Sequence, residues 1–245
     1  SMRFPLMNVQ NIPLTNLALG FLPALVMVAV LFAWSMNGGR ALYGMLRMLT
    51  QLLLIGYVLT YIFEADHAWI VLTVLLVMVL ASSWIALGNL NADRSSLFVC
   101  SLGAIIIAGG LTLALISVGV LRLDPWYEAR FLIPLAGMIF ANSMNSVSLT
   151  AERLGAEIRR GDDWLTARNT ALGAGMIPMV NSLFAVGLVS LPGMMTGQIL
   201  SGVSPLIAVR YQIMVMCMIF GAGGLAAVLF LGFSRRIFES RISIQ

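Results

Sequence analysis

Polar residues in this chain come in short clusters, and long unbroken apolar stretches run between them. A hydrocarbon core about 30 Å thick takes roughly 20 residues of helix to cross. Seven stretches meet that length, at approximately 14–35, 42–63, 67–87, 97–121, 131–150, 176–200 and 208–233. None alternates apolar with polar positions as a barrel strand would. The pattern predicts an all-α fold: a polytopic integral membrane protein of about seven transmembrane helices, with 1–245 forming a single transmembrane domain. The second stretch is the least apolar, because Arg47, Thr50 and Gln51 interrupt it. It is expected to start at the membrane interface and then dip inward.

Charge sets the direction of the spans. All fourteen basic residues are Arg. An odd span count places the termini on opposite faces. With the C-terminus cytoplasmic and the N-terminus outside, the inner face holds ten: Arg40, Arg47, Arg94, Arg153, Arg159, Arg160, Arg168, Arg235, Arg236 and Arg241. The outer face holds four: Arg3, Arg122, Arg130 and Arg210. That asymmetry is the positive-inside bias.

Composition removes several classes of function. Apolar residues make up 60% and charged residues 10%, against about a quarter charged in soluble domains. With no Lys, Schiff-base chemistry is excluded. Cys100 and Cys217 lie in apolar runs without a CxxC, and His67 has no Cys or His nearby, so a zinc centre is not expected. Neither HExxH nor GxSxG occurs, and an enzyme is not expected. The Arg residues form no stripe, which argues against nucleic acid as a partner. The first apolar run is too long for a signal-peptide core and lacks a basic leader, so no cleavable signal is expected.

Most connections are short. Glu64–Asp66 and Gly88–Ser96 leave no room for a soluble domain, and Arg122–Arg130 carries Asp124-Pro125-Trp126-Tyr127, a turn with aromatics suited to the headgroup layer. The longest connection, 151–175, is expected on the cytoplasmic side. Its Ala151–Arg160 part reads as a helix with Glu and Arg at helical spacings, which Gly161-Asp162-Asp163 breaks or recaps. A solvated loop and a docking element for a partner remain equal readings of it.

Intramembrane ionisable groups mark function by default, but the deep parts of these spans hold essentially none. Uncharged polar groups gather in two spans instead. The fifth places Asn142, Asn145 and Ser146 on one helical face, with Met138 a turn earlier. The sixth holds Asn181, Ser182, Ser190, Thr196 and Gln198. Interhelical hydrogen bonding is the ordinary role of such groups; two polar faces close in sequence also suit a shared path. Within the sixth span, Pro192 removes a backbone donor and Gly193 relaxes the backbone. Gly193 and Gly197 share a GxxxG spacing that permits close helix packing. A helix break at Pro192, Gly193 and Gly197 is expected, as a packing kink or a substrate-passing interruption. Met194 and Met195 are soft thioethers, better suited to Cu(I) than to ferrous iron, although Met is also a common packing filler.

Three segments carry a resemblance. "IPLAGMIFANSMNSVSLTAERL" (Ile133–Leu154), "GLVSLPGMMTGQILSGVSPLIAVRYQIMVM" (Gly187–Met216) and "LTQLLLIGYVLTYIF" (Leu49–Phe63) resemble the FetB family. These are membrane subunits of a bacterial ABC-type iron exporter, similar also to plant aluminium-tolerance ABC subunits. The resemblance implies a permease of the bacterial inner membrane, acting as a homodimer with a cognate ABC ATPase. ATP and Mg would be bound by that ATPase and no cofactor by this chain; iron or a related metal would be the cargo. The absence of Lys and of a GxxxxGK[ST] motif fits ATP chemistry supplied by another subunit. The family's cytoplasmic stretch before the sixth span is longer than here, where Leu172-Gly173-Ala174 runs straight into Gly175-Met176-Ile177-Pro178.

On this reading Asn142, Asn145, Ser146, Asn181, Ser182, Met194, Met195 and Gln198 form the translocation path, with Met194 and Met195 as candidate metal ligands. Glu152, Arg153, Glu157, Arg159 and Arg160 would dock the ATPase. A self-sufficient secondary transporter or channel is the alternative, but it needs intramembrane coupling sites. A non-transporting membrane scaffold built on the Gly-rich faces is the other.

Overall fold

The computed structural model describes residues 12–63, 67–88, 90 and 94–242. Among these there are helices and turns but no β-strand; an isolated bridge pairs Val186 with Ser190. The expected connection Glu64–Asp66, part of the 88–96 connection and Arg3 lie outside the described residues. The chain divides into two compact units, Ser1–Ala65 and Asp66–Gln245.

In the first unit, α1 (Leu14–Leu19) and α2 (Leu22–Ala33) are separated by Gly20 and Phe21, and α3 spans Gly38–Phe63. Pro13 caps α1 and Pro23 sits in the first turn of α2, where a missing N–H costs nothing. Helix α3 is continuous, so the expected interfacial start is part of one 26-residue helix. Thr50 and Thr60 donate to the carbonyls of Leu46 and Gly56, one turn back, and thereby satisfy themselves inside an apolar run.

In the second unit, α4 (Ala68–Ala86) and α5 (Arg94–Ala114) are followed by a π-helical turn at Leu115–Val120. The remaining helices are α6 (Ala129–Arg160), α7 (Trp164–Ala185), α8 (Gly193–Leu200) and α9 (Pro205–Ile242). Arg94 ties α5 to the end of α4: its Nη2 donates to the Trp84 carbonyl at 2.7 Å and its guanidinium lies 3.9 Å from the Trp84 ring centroid. Helix α6 is central, packing on α4, α5, α7 and α9. Its buried face includes Ala136, Ser143, Ser146, Thr150, Ala151 and Gly155, small residues that let backbones approach closely.

Six helical segments are long and apolar enough to cross a bilayer: Leu14–Ala33, Gly38–Phe63, Ala68–Ala86, Arg94–Val120, Ala129–Arg160 and Pro205–Ser240. They coincide with six of the seven expected spans. The other, 176–200, is divided between α7, an irregular stretch at 186–192 and the short α8. Helices α6 and α9 run well past their apolar runs. At 1.5 Å per residue they are roughly 48 and 57 Å long, and their charged ends continue the same hydrogen-bond ladder.

The connection expected over 151–175 is thus mostly helix. Gly161 ends α6 with φ +92°, a left-handed cap that suits Gly. Asp163 opens α7, its Oδ2 accepting from the N–H of Leu165 at 3.0 Å and Thr166 at 3.4 Å. A hydrogen bond from the Thr166 side chain, followed by those backbone N–H groups, holds the Asp163 carboxyl below its ordinary value.

Two predictions follow from this packing. A Cβ on Gly175 would collide with Thr150 Oγ1 and come within 3.0 Å of the Ser146 carbonyl, whereas one on Gly173 meets nothing within 4 Å. Gly175→Ala is expected to cost about 1–3 kcal/mol through overpacking, and Gly173→Ala to stabilise by about 0.5–1 kcal/mol as an unhindered mid-helix replacement, in thermal unfolding of the detergent-solubilised protein. Because the native pKa of Asp163 is lowered, its cap is fully present above the unfolded carboxyl value and is lost as pH falls through the native one. Protection factors of the Leu165 and Thr166 amides, taken relative to the intrinsic exchange rate at each pH, should hold above the ordinary carboxyl value of about 4 and fall at lower pH, and Asp163→Ala should show the lower protection at every pH.

Candidate functional site

The interruption between α7 and α8 organises the polar residues of the second unit. Helix α7 stops at Ala185, and its last carbonyl accepts from Val189 at 2.8 Å and Ser190 at 3.2 Å. Gly187, at φ +83°, donates to the Ser190 carbonyl at 2.9 Å. The chain therefore folds into a tight apolar turn, and Leu188 at its tip is 90% exposed. Pro192 does not kink a continuing helix. It is the N-cap of α8, and Thr196 N–H bonds back to its carbonyl at 3.0 Å. The break thus begins before the Pro192-Gly193 step, and Gly197 lies inside α8 with open space where a Cβ would be.

A cavity of about 310 Å³ opens against this break. Helix α6 contributes Met138 and Asn142, α7 contributes Ser182, and Ser190 and Met194 come from the break and α8. Helix α9 contributes Gln212 and Met216. Asn142 commits one side-chain N–H to the Met138 carbonyl at 2.8 Å, which leaves its other N–H and its oxygen as the groups available to a ligand. Gln212 is 6% exposed, and its Oε1 is buried without a hydrogen-bond partner. A second cavity of about 280 Å³ includes Met195 and Cys217 and shares Gln212 and Met216 with the first. Neighbouring residues on a helix point about 100° apart, so Met194 and Met195 serve different cavities.

Of the residues expected on the path, Asn142, Ser182 and Met194 come together in the first cavity. Asn145 and Asn181 are exposed on the surface of the unit. Ser146 is buried beneath α9, where a Cβ on Gly223 would lie 2.9 Å from its Oγ. Gln198 is half-buried, and its Oε1 has no partner. Gln212 escaped the sequence reading altogether. Its signal was a single amide in the apolar run "AVRYQIMVMCMIF" of α9, overlooked because the fifth and sixth spans hold more polar residues. Ser143 and Thr150, fully buried with unpartnered hydroxyls, belong to the same overlooked group on α6.

At the charged end of α6, Glu157 is 4% exposed and pairs with Arg153 at 2.6 Å and Arg160 at 3.3 Å. Both pairs use helical spacings, so α6 neutralises its own buried carboxylate. Glu152, Arg159 and Arg160 stay exposed. Phe238 of α9 is buried near Gly155, and Arg235 lies over the Trp164 ring of α7 at 5.9 Å. The ends of three helices are therefore bound into one charged block. Among the described residues, no group of three or more His, Cys, Asp or Glu is placed to hold a metal.

A multi-pass, all-helical membrane protein with an uncharged polar cavity at a discontinuous helix is the class this geometry defines. Residues 14–238 match the model of the family described as "Uncharacterised protein family (UPF0014)", and the chain belongs to that family. It is 33% identical to the "Probable iron export permease protein FetB" of Escherichia coli, over 91% of each chain. It is 38% identical to the "UPF0014 membrane protein slr1647" of Synechocystis, over 74% of this chain and 76% of that one. Identity to the "Protein ALUMINUM SENSITIVE 3" of Arabidopsis thaliana is 31%, over 83% of this chain and 80% of the relative. No solved structure matches.

Glu157 yields a direct test of the charged block. Glu157→Gln removes the carboxylate that both guanidiniums share. Arg153 and Arg160 are partly exposed, so the expected loss is about 1–2 kcal/mol, below the range for fully buried pairs. Chemical denaturation of the detergent-solubilised protein measures it.

Proposed function

We propose that this chain is the permease subunit of an ABC-type exporter that carries iron or a related metal out of the cytosol, with ATP hydrolysed by a separate subunit. The observation that carries the reading is the cavity at the broken helix. Irregular backbone at membrane depth is tolerated where it is covered by protein or lines a wet cavity, and here it meets oxygen and sulfur donors from α6, α8 and α9. The name of the Escherichia coli relative supports the cargo class, and membership of the family supports the architecture.

In this reading the C-terminus is cytoplasmic and the N-terminus outside, in a bacterial inner membrane. The charged block at the ends of α6, α7 and α9 then faces the cytosol. Glu152, Arg153, Arg159 and Arg160 dock the cognate ABC ATPase, while Glu157 holds the α6 terminus in shape from inside. Two permeases pair in the complex. Asn145 and Asn181, amides exposed on the unit's surface, suit that seam, since an amide facing lipid gains from a partner across helices. Closure of the ATPases shifts the charged block, and α6 and α9 carry the shift to the cavity they both line.

Coexpression with the cognate ATPase tests the proposal. Cells carrying both subunits should hold less iron under iron load than cells carrying either alone. Replacing Leu191–Met195 with Leu and Ala should abolish the difference while the protein still reaches the membrane. Unchanged metal content across several metals, together with no stimulation of the ATPase in proteoliposomes, would overturn it.

A further inference from the structure

We propose that the seam between α6 and the first half of α7, closed by Gly175 against Ser146 and Thr150, is the inner gate of the translocation path, and that it opens by a bend of α7 at Pro178. The inference rests on the exporter reading and names the residues that separate the cavity from the charged block.

Position is the first argument. The helices that line the cavity continue into the seam. On α6, Ser146 and Thr150 follow the cavity-lining Asn142 by one and two turns toward the charged block. On α7, Gly175 precedes the cavity-lining Ser182 by two turns toward the same block. Helix α9 backs the junction: a Cβ on Gly223 would lie 2.9 Å from the Ser146 Oγ and 3.6 Å from both the Asn142 carbonyl and the Met179 side chain. With the block facing the cytosol, the seam is the barrier between the cavity and that side.

The second argument is that the seam is closed yet its polar groups are unsatisfied. A hydroxyl inside a helix can bond back to the carbonyl one turn earlier, as Thr73, Ser83, Thr112 and Ser234 do here at 2.7–2.8 Å. Ser146 and Thr150 are 1% and 0% exposed, and neither hydroxyl has a hydrogen-bond partner. Burying such groups unpaired is costly, and water admitted between the helices would pair them. What faces the hydroxyls also favours opening. A Cβ on Gly175 would collide with Thr150 Oγ1 and come within 3.0 Å of the Ser146 carbonyl, so bare backbone, not an interlocked apolar side chain, covers α6 here. Separation exposes hydroxyls and peptide groups rather than hydrophobic surface.

The third argument is a hinge. Pro178 lies within α7 between Gly175 and Ser182. It has no N–H for the Ala174 carbonyl and its ring crowds that turn, which is where helices bend. The half of α7 that carries Gly175 begins at Trp164, whose ring lies 5.9 Å from the Arg235 guanidinium of the charged block. A shift of the block can therefore move Gly175 without moving Ser182.

Thiol labelling tests the gate, in a Cys100→Ala/Cys217→Ala background in lipid nanodiscs. Ser146→Cys and Thr150→Cys are each compared with Ser83→Cys, an equally buried serine whose hydroxyl is paired. A charged, water-soluble methanethiosulfonate should label the first two at least tenfold faster than the third, with the permease alone or with the ATPase in one of its nucleotide states. Labelling no faster than that of Ser83→Cys, in every state, would overturn the gate. A lock provides the second readout. A Cβ on Gly175 would lie 3.3 Å from the Thr150 Cβ, close to the spacing of a disulfide. Thr150→Cys/Gly175→Cys, oxidised with diamide, should stop ATPase-dependent iron flux in proteoliposomes, and dithiothreitol should restore it. Flux unaffected by a complete bridge would also overturn the gate. Should the reduced pair fail to fold or to carry metal, labelling of Ser146→Cys decides alone. Absence of ATPase-dependent flux in the unmodified protein counts instead against the exporter reading, and labelling still decides whether the seam opens.

Discussion

The whole arrangement depends on one constraint: a backbone in lipid must satisfy its own hydrogen bonds. Helices α3, α4, α6 and α9 do so along their length. The segment at 186–192 cannot, because Gly187 turns the chain and Pro192 has no N–H. It compensates locally, with Gly187, Val189 and Ser190 bonded within the turn and Thr196 bonded to Pro192. The carbonyls that remain need protein or water around them. A cavity lined by amides, hydroxyls and thioethers at this place is the physical companion of the break.

A second pairing holds the opposite end. Glu157 is buried, yet its charge is met by two Arg on its own helix. The carboxylate therefore does not depend on a neighbouring helix for neutralisation. Phe238 and Arg235 on α9 then pack the block by apolar and cation–π contact. Helix α6 connects this block to the cavity through Ser146 and Thr150, whose hydroxyls lie where α7 and α9 present Gly175 and Gly223.

Most of the fold was legible in the sequence, because long continuous apolar runs have few alternatives. The recap at Gly161–Asp163 was legible too, since left-handed Gly and an Asp N-cap are local rules. The charged end of α9 was not, nor was the continuity of the Ala151–Arg160 helix with the fifth span. The charged turns of both helices carry Glu and Arg, good helix formers that hydropathy reads as loop. The expected break in the sixth run is there but begins earlier than the Pro192-Gly193 step, because the turn at Gly187 is built from Leu and Val, which look the same in a helix or in an apolar hairpin. Within the site, helical spacing grouped Asn142 with Ser146 and Asn145, but a helix face is wide. The structure divides that face among the cavity, the α9 contact and the outer surface. Gln212 was illegible for a different reason: one amide among apolar neighbours is ordinary until its oxygen is seen to lack a partner.

At Gly223 and Gly224 the side chains of Ser146 and Met176 approach the backbone of helix α9. A rigid tilt of α9 about that contact would make it a fulcrum. From it, at 1.5 Å per residue, Gln212 lies about 16 Å in one direction and Phe238 about 22 Å in the other. A stiff rod pivoting between arms of similar length is a see-saw. Such a tilt, if it drew Phe238 inward, would swing Gln212 outward by a comparable distance.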